Sequence, residues 1–422
     1  MRREDRCGFV LPAVVSILLA GCSLLHEAPR PALSSPPPPL VEVPVAPPVP
    51  ELPTPHAMHR FVLTDPNASV VGAVQIVIAS HEDTLPDIAR RFDVGYEEIV
   101  RANPGVDPWL PGAGRRIVVP TRFVLPSGPH EGVVVNLPAL RLFYFPRPAK
   151  GEPQIVYTHP IGIGKVGWKT PEGVTKIISR AKNPVWRPSA AVRKEHADNG
   201  DPIPAVVPPG PDNPLGKYKF TLGWPSYLIH GTNKPYGVGL RSSHGCIRLY
   251  PEDIEYLFNN VPVGTPVRVV NQPFLFAWHD GQLLLQAYTV LEDDPRHWAK
   301  ADRATLSRSM APALQQLLKA QSIAVNWDAV AALTRQPRGL PVRVDAAAKG
   351  ALTTIEGVIA AAPLVQNQLP GGSNWDGSGD VERDEASYQQ VLREAERPLI
   401  PTPPMPAKST SIIPGMPAGD RG

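Results

Sequence analysis

Residues 241–250 read Arg-Ser-Ser-His-Gly-Cys-Ile-Arg-Leu-Tyr, and they hold Cys246, one of only three cysteines in 422 residues. Serine, histidine, glycine and arginine are poor company for an inert core thiol. The other two cysteines, Cys7 and Cys22, lie in the opening stretch MRREDRCGFVLPAVVSILLAGC. That stretch has a basic start, an apolar run from Phe9 to Ala20 and a small-residue ending, the pattern of a secretory signal whose core is too short to span a bilayer. Exported cysteines usually pair, so one left without a partner points to a reactive thiol.

Leu19-Ala20-Gly21-Cys22 resembles the lipobox of bacterial lipoproteins, in which the cysteine is acylated and becomes the first mature residue. The resemblance implies lipidation at Cys22, removal of Cys7 with residues 1–21, and a lipid-anchored place in the periplasm, with the outer membrane favoured by Ser23. Net charge is +3, too small an excess on this length to argue for nucleic acid. The 54 prolines gather at the two ends. Residues 22–70 are expected to be a Pro-rich linker in polyproline II form, whose thirty or so most proline-dense residues would reach about 90 Å. Residues 346–422 are expected to be a largely disordered tail.

Between Gln75 and Pro120 the pattern is compact. QIVIAS alternates as a strand. Asp83-Thr84 signals a helix start before Leu85, Ile88, Ala89 and Phe92, which share one face. A second short helix, YEEIVRA, ends at Asn103-Pro104, and RIVVP closes the unit. This strand-helix-helix-strand order resembles a LysM domain over residues 75–120, which implies binding to glycan strands containing N-acetylglucosamine. Glu82 stands where that family usually carries glycine.

From Gly132 to Asn271 strands dominate. GVVVNLPALRLFYFP reads as a hairpin, followed by QIVYTHP, TKIISR, YKFTLG, YLIHG and TPVRVV, with one helix opening at Pro251. The expected fold class is mostly β (α+β): a β-rich domain over 132–271 preceded by the small βααβ unit. Residues 272–345 are expected to form an accessory α/β piece. Gly162-Ile-Gly164-Lys-Val-Gly167 fits a dinucleotide-binding pattern, but no helix opens there and no acidic residue follows at the ribose-binding distance. These glycines instead suit a loop lying close to a substrate. His230, His244 and Cys246 could ligate zinc, but His244 and Cys246 are only two apart and no further ligand pattern supports it. No metal and no cofactor is expected.

A thiol attacks a carbonyl as thiolate and needs a base or a positive environment. His230 ends the apolar run Tyr227-Leu-Ile, and the loop after Gly231 can bring Cys246 back to it. Cys246 is then the nucleophile and His230 the proton acceptor and donor. Backbone amides at Gly245 and Cys246 could form an oxyanion hole. Arg248 could bind a carboxylate. His244 could line the site, and Ser243 is a turn hydroxyl or a substrate contact.

His230-Gly231 followed by Ser243-His244-Gly245-Cys246-Ile247-Arg248-Leu249 resembles the signature of the L,D-transpeptidase family, whose catalytic domain is of the YkuD type. Gly164-Lys165, Thr170-Pro171-Glu172-Gly173 and Asn213-Pro214-Leu215-Gly216 support it. The resemblance implies that Cys246 is acylated by a peptidoglycan stem peptide and that His230 moves the proton, with Ser243, His244, Gly245 and Arg248 in the substrate pocket. It implies transfer to an amine, either a second stem peptide in a 3–3 crosslink or a wall-attached lipoprotein. Hydrolysis of the same bond (an L,D-carboxypeptidase) and a non-catalytic wall tether are the alternatives.

Overall fold

The computed structural model describes residues 52–56, 59–65, 68–298 and 302–377. Cys22, the signal segment, most of the Pro-rich stretch and residues 378–422 lie outside the described residues. No helix among the described residues is long and apolar enough to cross a membrane.

Strand β1 (Arg60–Leu63) comes first, then β2 (Val70–Gly72), β3 (Gln75–Ile78), α1 (Leu85–Arg91), α2 (Tyr96–Ala102), β4 (Arg116–Val119) and β5 (Arg122–Val124). The Thr84 hydroxyl accepts from the Asp87 amide while the Asp87 carboxylate accepts from the Thr84 amide, a reciprocal cap that fixes where α1 starts. Leu85, Ile88, Ala89 and Phe92 are fully buried against β3 and β4. Burying each of the larger ones contributes about 1.5–3 kcal/mol.

The larger part runs through β6 (Gly132–Asn136), β7 (Arg141–Phe145), β8 (Gln154–Pro160), β9 (Ile163–Gly164), β10 (Gly173–Lys182), α3 (Ala190–Asp198), β11 (Tyr218–Leu222), β12 (Leu228–His230), β13 (Arg241–Ser243), β14 (Ile247–Arg248), α4 (Pro251–Asn260) and β15 (Pro266–Val270). Its sheet has the order β1-β8-β7-β6-β15-β10-β11-β12-β14. Proline sits where a ladder can spare a donor: Pro160 ends β8 and Pro266 opens β15. On β11, β12 and β14 the apolar side chains Tyr218, Phe220, Leu222, Ile229 and Ile247 join Ile254 and Leu257 of α4 in one core. The alternate residues of those strands therefore point to the opposite face.

The accessory part pairs β16 (Phe274–His279), β17 (Gln282–Ala287) and β18 (Pro341–Arg343) into a sheet. It packs with α5 (Arg303–Ser307), α6 (Pro312–Ala320) and α7 (Trp327–Arg335).

Two boundary expectations need correction. The Pro-rich linker was expected to extend to residue 70, but Arg60–Leu63 pairs antiparallel with β8 and extends the main sheet. Its alternating burial was masked by the prolines around it. The tail was expected to start at residue 346, yet α8 (Ile355–Ala361) forms there and Val365 is fully buried in the core between α1 and β4. Leu364 bridges Ile76 in parallel, so this segment covers the free edge of β3.

The small βααβ unit is joined firmly to the large one. The first two amides of α2, at Tyr96 and Glu97, donate to the carbonyls of Val238 and Gly239. These are donors that a helix cannot satisfy internally. Gly239 has φ +84°, and a Cβ there would lie 2.2 Å from the Tyr96 nitrogen, so only glycine permits the approach. Arg90 holds Glu252 through two bonds of 2.9 Å. The fully buried Arg141 holds Glu98 through two more of 2.9 Å and lies over the Phe123 ring.

Removing one partner of a buried pair leaves the other charge uncompensated. Glu98→Ala should therefore destabilise the chain by about 3–5 kcal/mol in urea denaturation. A loss below about 1 kcal/mol, the range of an exposed pair, would show that Arg141 and Glu98 are not coupled this way.

Candidate active site

The geometry of the site follows from strand register. In antiparallel pairing Lys219 of β11 stands opposite His230 of β12. In parallel pairing His230 stands opposite Arg248 of β14, as Ile229 stands opposite Ile247. Lys219, His230 and Arg248 thus form one row across three strands, on the face away from α4. Cys246 precedes β14 by one residue and Arg248 by two, so period-two alternation puts the thiol on this same face. The predicted pair, Cys246 and His230, is brought to one side of the sheet edge.

His230 is almost wholly buried. Its Nδ1 lies 2.6 Å from the Gly231 carbonyl oxygen. A carbonyl only accepts, so Nδ1 carries the hydrogen and Nε2 keeps the lone pair. Burial, then the Arg248 charge, pull this imidazole down to about 3, and Lys219 adds to the effect. The Cys246 side chain is partly exposed, and its Sγ donates to the Ser226 carbonyl at 3.6 Å. Close packing pushes the thiol up to about 11, although a backbone hydrogen bond at Leu228 and the charges of Arg248 and Lys219 act the other way. Both shifts favour a neutral thiol and a neutral imidazole over a preformed ion pair.

The turn carrying the thiol is held by its neighbours. Ser243 Oγ donates to the Cys246 carbonyl at 2.6 Å and accepts from the Gly245 amide at 3.2 Å. Ser243 is thus placed as a turn hydroxyl, and the Gly245 amide, expected to serve an oxyanion, is engaged. Gly245 has φ +100°, and Thr170 Oγ1 donates to its carbonyl at 2.9 Å. The Gly162–Gly167 loop was expected to approach a substrate. It lies against the backbone of the thiol segment. Gly162 and Arg248 exchange amide bonds of 2.8 and 2.9 Å, and a Cβ on Gly164 would meet the Trp168 carbonyl at 1.8 Å and Gly245 at 2.9 Å.

His244 projects toward a polar cluster from an insertion between β10 and β11. Its Nε2 lies 3.3 Å from Glu195 Oε2 on α3, and its ring meets Trp168 edge-on at 4.9 Å. Lys165 donates to the other Glu195 oxygen. Burial works to raise the Glu195 carboxyl, but the hydrogen bond and charge of Lys165 hold it below its usual range, and burial followed by the Lys165 charge pulls His244 down to about 4. Arg248 Nη1 donates to Ser242 Oγ at 3.3 Å. Lys165 was read only as support for the family resemblance, and Lys219, Glu195 and Trp168 were not singled out from the sequence. Only Lys219 had a readable signal, its place between the inward Tyr218 and Phe220.

Comparison with known proteins agrees with this architecture. Residues 130–269 match the L,D-transpeptidase catalytic domain (YkuD), and residues 81–120 match the LysM domain. The chain is 36% identical over 294 residues to "Probable L,D-transpeptidase ErfK/SrfK" of Salmonella typhimurium, covering 69% of this chain and 92% of that protein. It is 42% identical over 216 residues to "Probable L,D-transpeptidase YbiS" of Escherichia coli, covering 50% and 69%. Against "Putative L,D-transpeptidase YkuD" of Bacillus subtilis it is 31% identical over 190 residues, covering 44% and 93%. The chain belongs to the L,D-transpeptidase family.

Only the thiolate alkylates readily, and below its pKa the thiolate fraction grows about tenfold per pH unit. With the thiol near 11 and His230 near 3, iodoacetamide modification of Cys246 should climb steadily from pH 6 to 9 (about tenfold per unit) with no inflection. Intact-mass kinetics across that range check this. An inflection or plateau between pH 6 and 7 would mean that a thiolate–imidazolium pair already exists at rest.

Proposed function

We propose that this chain acylates Cys246 with a peptidoglycan stem peptide and passes the acyl group to an amine. The observation that carries this reading is the row Lys219–His230–Arg248 with the Cys246 thiol on the same face. As Sγ attacks the carbonyl of the third stem residue, His230 Nε2 takes the thiol proton. Collapse of the tetrahedral intermediate expels the fourth residue as its amine, and the imidazolium returns the proton to that nitrogen. The resulting thioester is attacked by the acceptor amine, whose proton His230 removes, and the thiol is regenerated.

Arg248 and Lys219 serve this cycle by charge. Both favour thiolate over thiol and imidazole over imidazolium, effects that offset for a standing ion pair, and both stabilise the anionic transition state. We assign oxyanion binding to the Cys246 amide, because the Gly245 amide serves Ser243. His244, edged by Trp168 and backed by Glu195, forms the wall of the substrate site. The LysM unit suits glycan binding. The signal pattern around Cys22 supports export with a lipid anchor, at the outer membrane.

Purified protein incubated with tetrapeptide-bearing muropeptides should yield 3–3 dimers by mass spectrometry, and Cys246→Ala should abolish them. His230→Gln should lower the rate by about 10²–10⁴. Tripeptides without dimers would replace transfer by hydrolysis, and unchanged substrate would leave only a tethering role. For the anchor, labelled fatty acid should enter the wild type in cells and be absent from Cys22→Ala. Label retained by that variant would remove Cys22 as the attachment point.

A further inference from the structure

Away from the thiol, where the LysM unit meets the catalytic sheet, three side chains from distant parts of the chain converge. Asp93 follows α1, His159 lies on β8 and Asp253 lies in the first turn of α4. His159 is fully buried, Asp253 is 2% exposed and Asp93 7%. His159 Nδ1 is 3.2 Å from Asp93 Oδ2 and 3.1 Å from Asp253 Oδ1. One donor atom from each residue falls within 4.8 Å of the others.

Hydrogen bonding does not account for this arrangement. Both carboxylates crowd the same ring nitrogen, and neither contact has hydrogen-bond geometry. Both oxygens of Asp93, both nitrogens of His159 and Oδ2 of Asp253 are buried without a hydrogen-bond partner. Buried carboxylates are ordinarily paired, hydrogen-bonded or bound to a metal. The nearby cations are committed elsewhere: Arg141 to Glu98 and to the Asp93 carbonyl, Arg90 to Glu252. The contact lengths suit a different occupant. A tetrahedral zinc ion with bonds of about 2.0–2.1 Å holds its ligand atoms about 3.3 Å apart.

The geometry points to a structural divalent-cation site, of zinc type, formed by Asp93, His159 and Asp253 at the junction of the two domains. Nδ1 of His159, Oδ2 of Asp93 and Oδ1 of Asp253 supply three ligands. Oδ1 of Asp93, Oδ2 of Asp253 or a water completes the set. Two carboxylates, a neutral imidazole and a divalent ion sum to zero charge, which suits a closed interior. Asn374, whose Nδ2 lies 3.5 Å from Asp253 Oδ1, holds that carboxylate in place. The ligands come from three separate segments, so the ion fastens the glycan-binding unit to the catalytic one. The rival occupant is a proton. Burial lowers the imidazole pKa, but in the metal-free pocket the two aspartates outweigh burial and raise it to about 10.

Elemental analysis of the full chain purified from zinc-supplemented cells should find about one zinc per molecule. Cys246→Ala should retain it, and the double variant Asp93→Asn, His159→Gln should lose at least about tenfold. If the double variant fails to fold, wild-type protein stripped with a chelator and titrated with Co²⁺ should show the strong visible bands of a tetrahedral site. Zinc should also raise the melting temperature of the stripped protein. The proposal falls if zinc is absent and does not shift the melting temperature while nitrogen NMR shows His159 doubly protonated. It falls equally if Cys246→Ala removes the metal, which would place the ion at the thiol.

Discussion

Parallel pairing of two very short strands, β12 and β14, sets the chemistry of this protein. Ile229 opposite Ile247 fixes the register from the core side. Because side chains alternate, that apolar match decides which residues face the other way: His230, Arg248 and, one step earlier, Cys246. A slip of one residue would bury the arginine and turn the isoleucine outward. The loop of Gly162 and Gly164 completes the arrangement, since its amide exchange with Arg248 and its contact with Gly245 hold β14 from the second side. The residues proposed for catalysis are thus placed by packing on the opposite face of the sheet.

The second organising feature is the charged seam between the two domains. Arg90–Glu252 and Arg141–Glu98 are paired in two-pronged geometry with little exposure. Such pairs contribute modest net stability but penalise any other docking, because separating them strands a charge in a dry interior. Asp93, His159 and Asp253 lie in the same seam. Polar groups here specify one arrangement of the domains, while the apolar cores on either side supply the stability of each.

Local signals in the sequence were informative. Asp83-Thr84, the hairpin around Leu137 and Pro138, Pro251 at the start of α4 and the segment from Ser243 to Leu249 all speak through neighbours a few residues away. They gave the mostly β class and the LysM unit. Non-local pairings were silent. Nothing around Arg60–Leu63 shows that these residues will find β8 nearly a hundred residues later. Nothing near Val365 announces the core of a domain whose first strand begins at Gln75. Nothing adjacent in sequence marks Glu195, which only the fold sets beside Lys165 and His244. The Gly245 amide was read as an oxyanion donor, and the hydroxyl that takes it was not legible, because that depends on the rotamer of Ser243.

The two leading amides of α2 end on the carbonyls of Val238 and Gly239, three residues or fewer before the strand that delivers the thiol. Under the reading proposed above, the part that grips the sugar chain and the part that cuts the peptide share one piece of backbone. Such an enzyme works as a jig with a fixed offset. Under that reading, only stem peptides that the gripped strand presents toward the cleft would be reached.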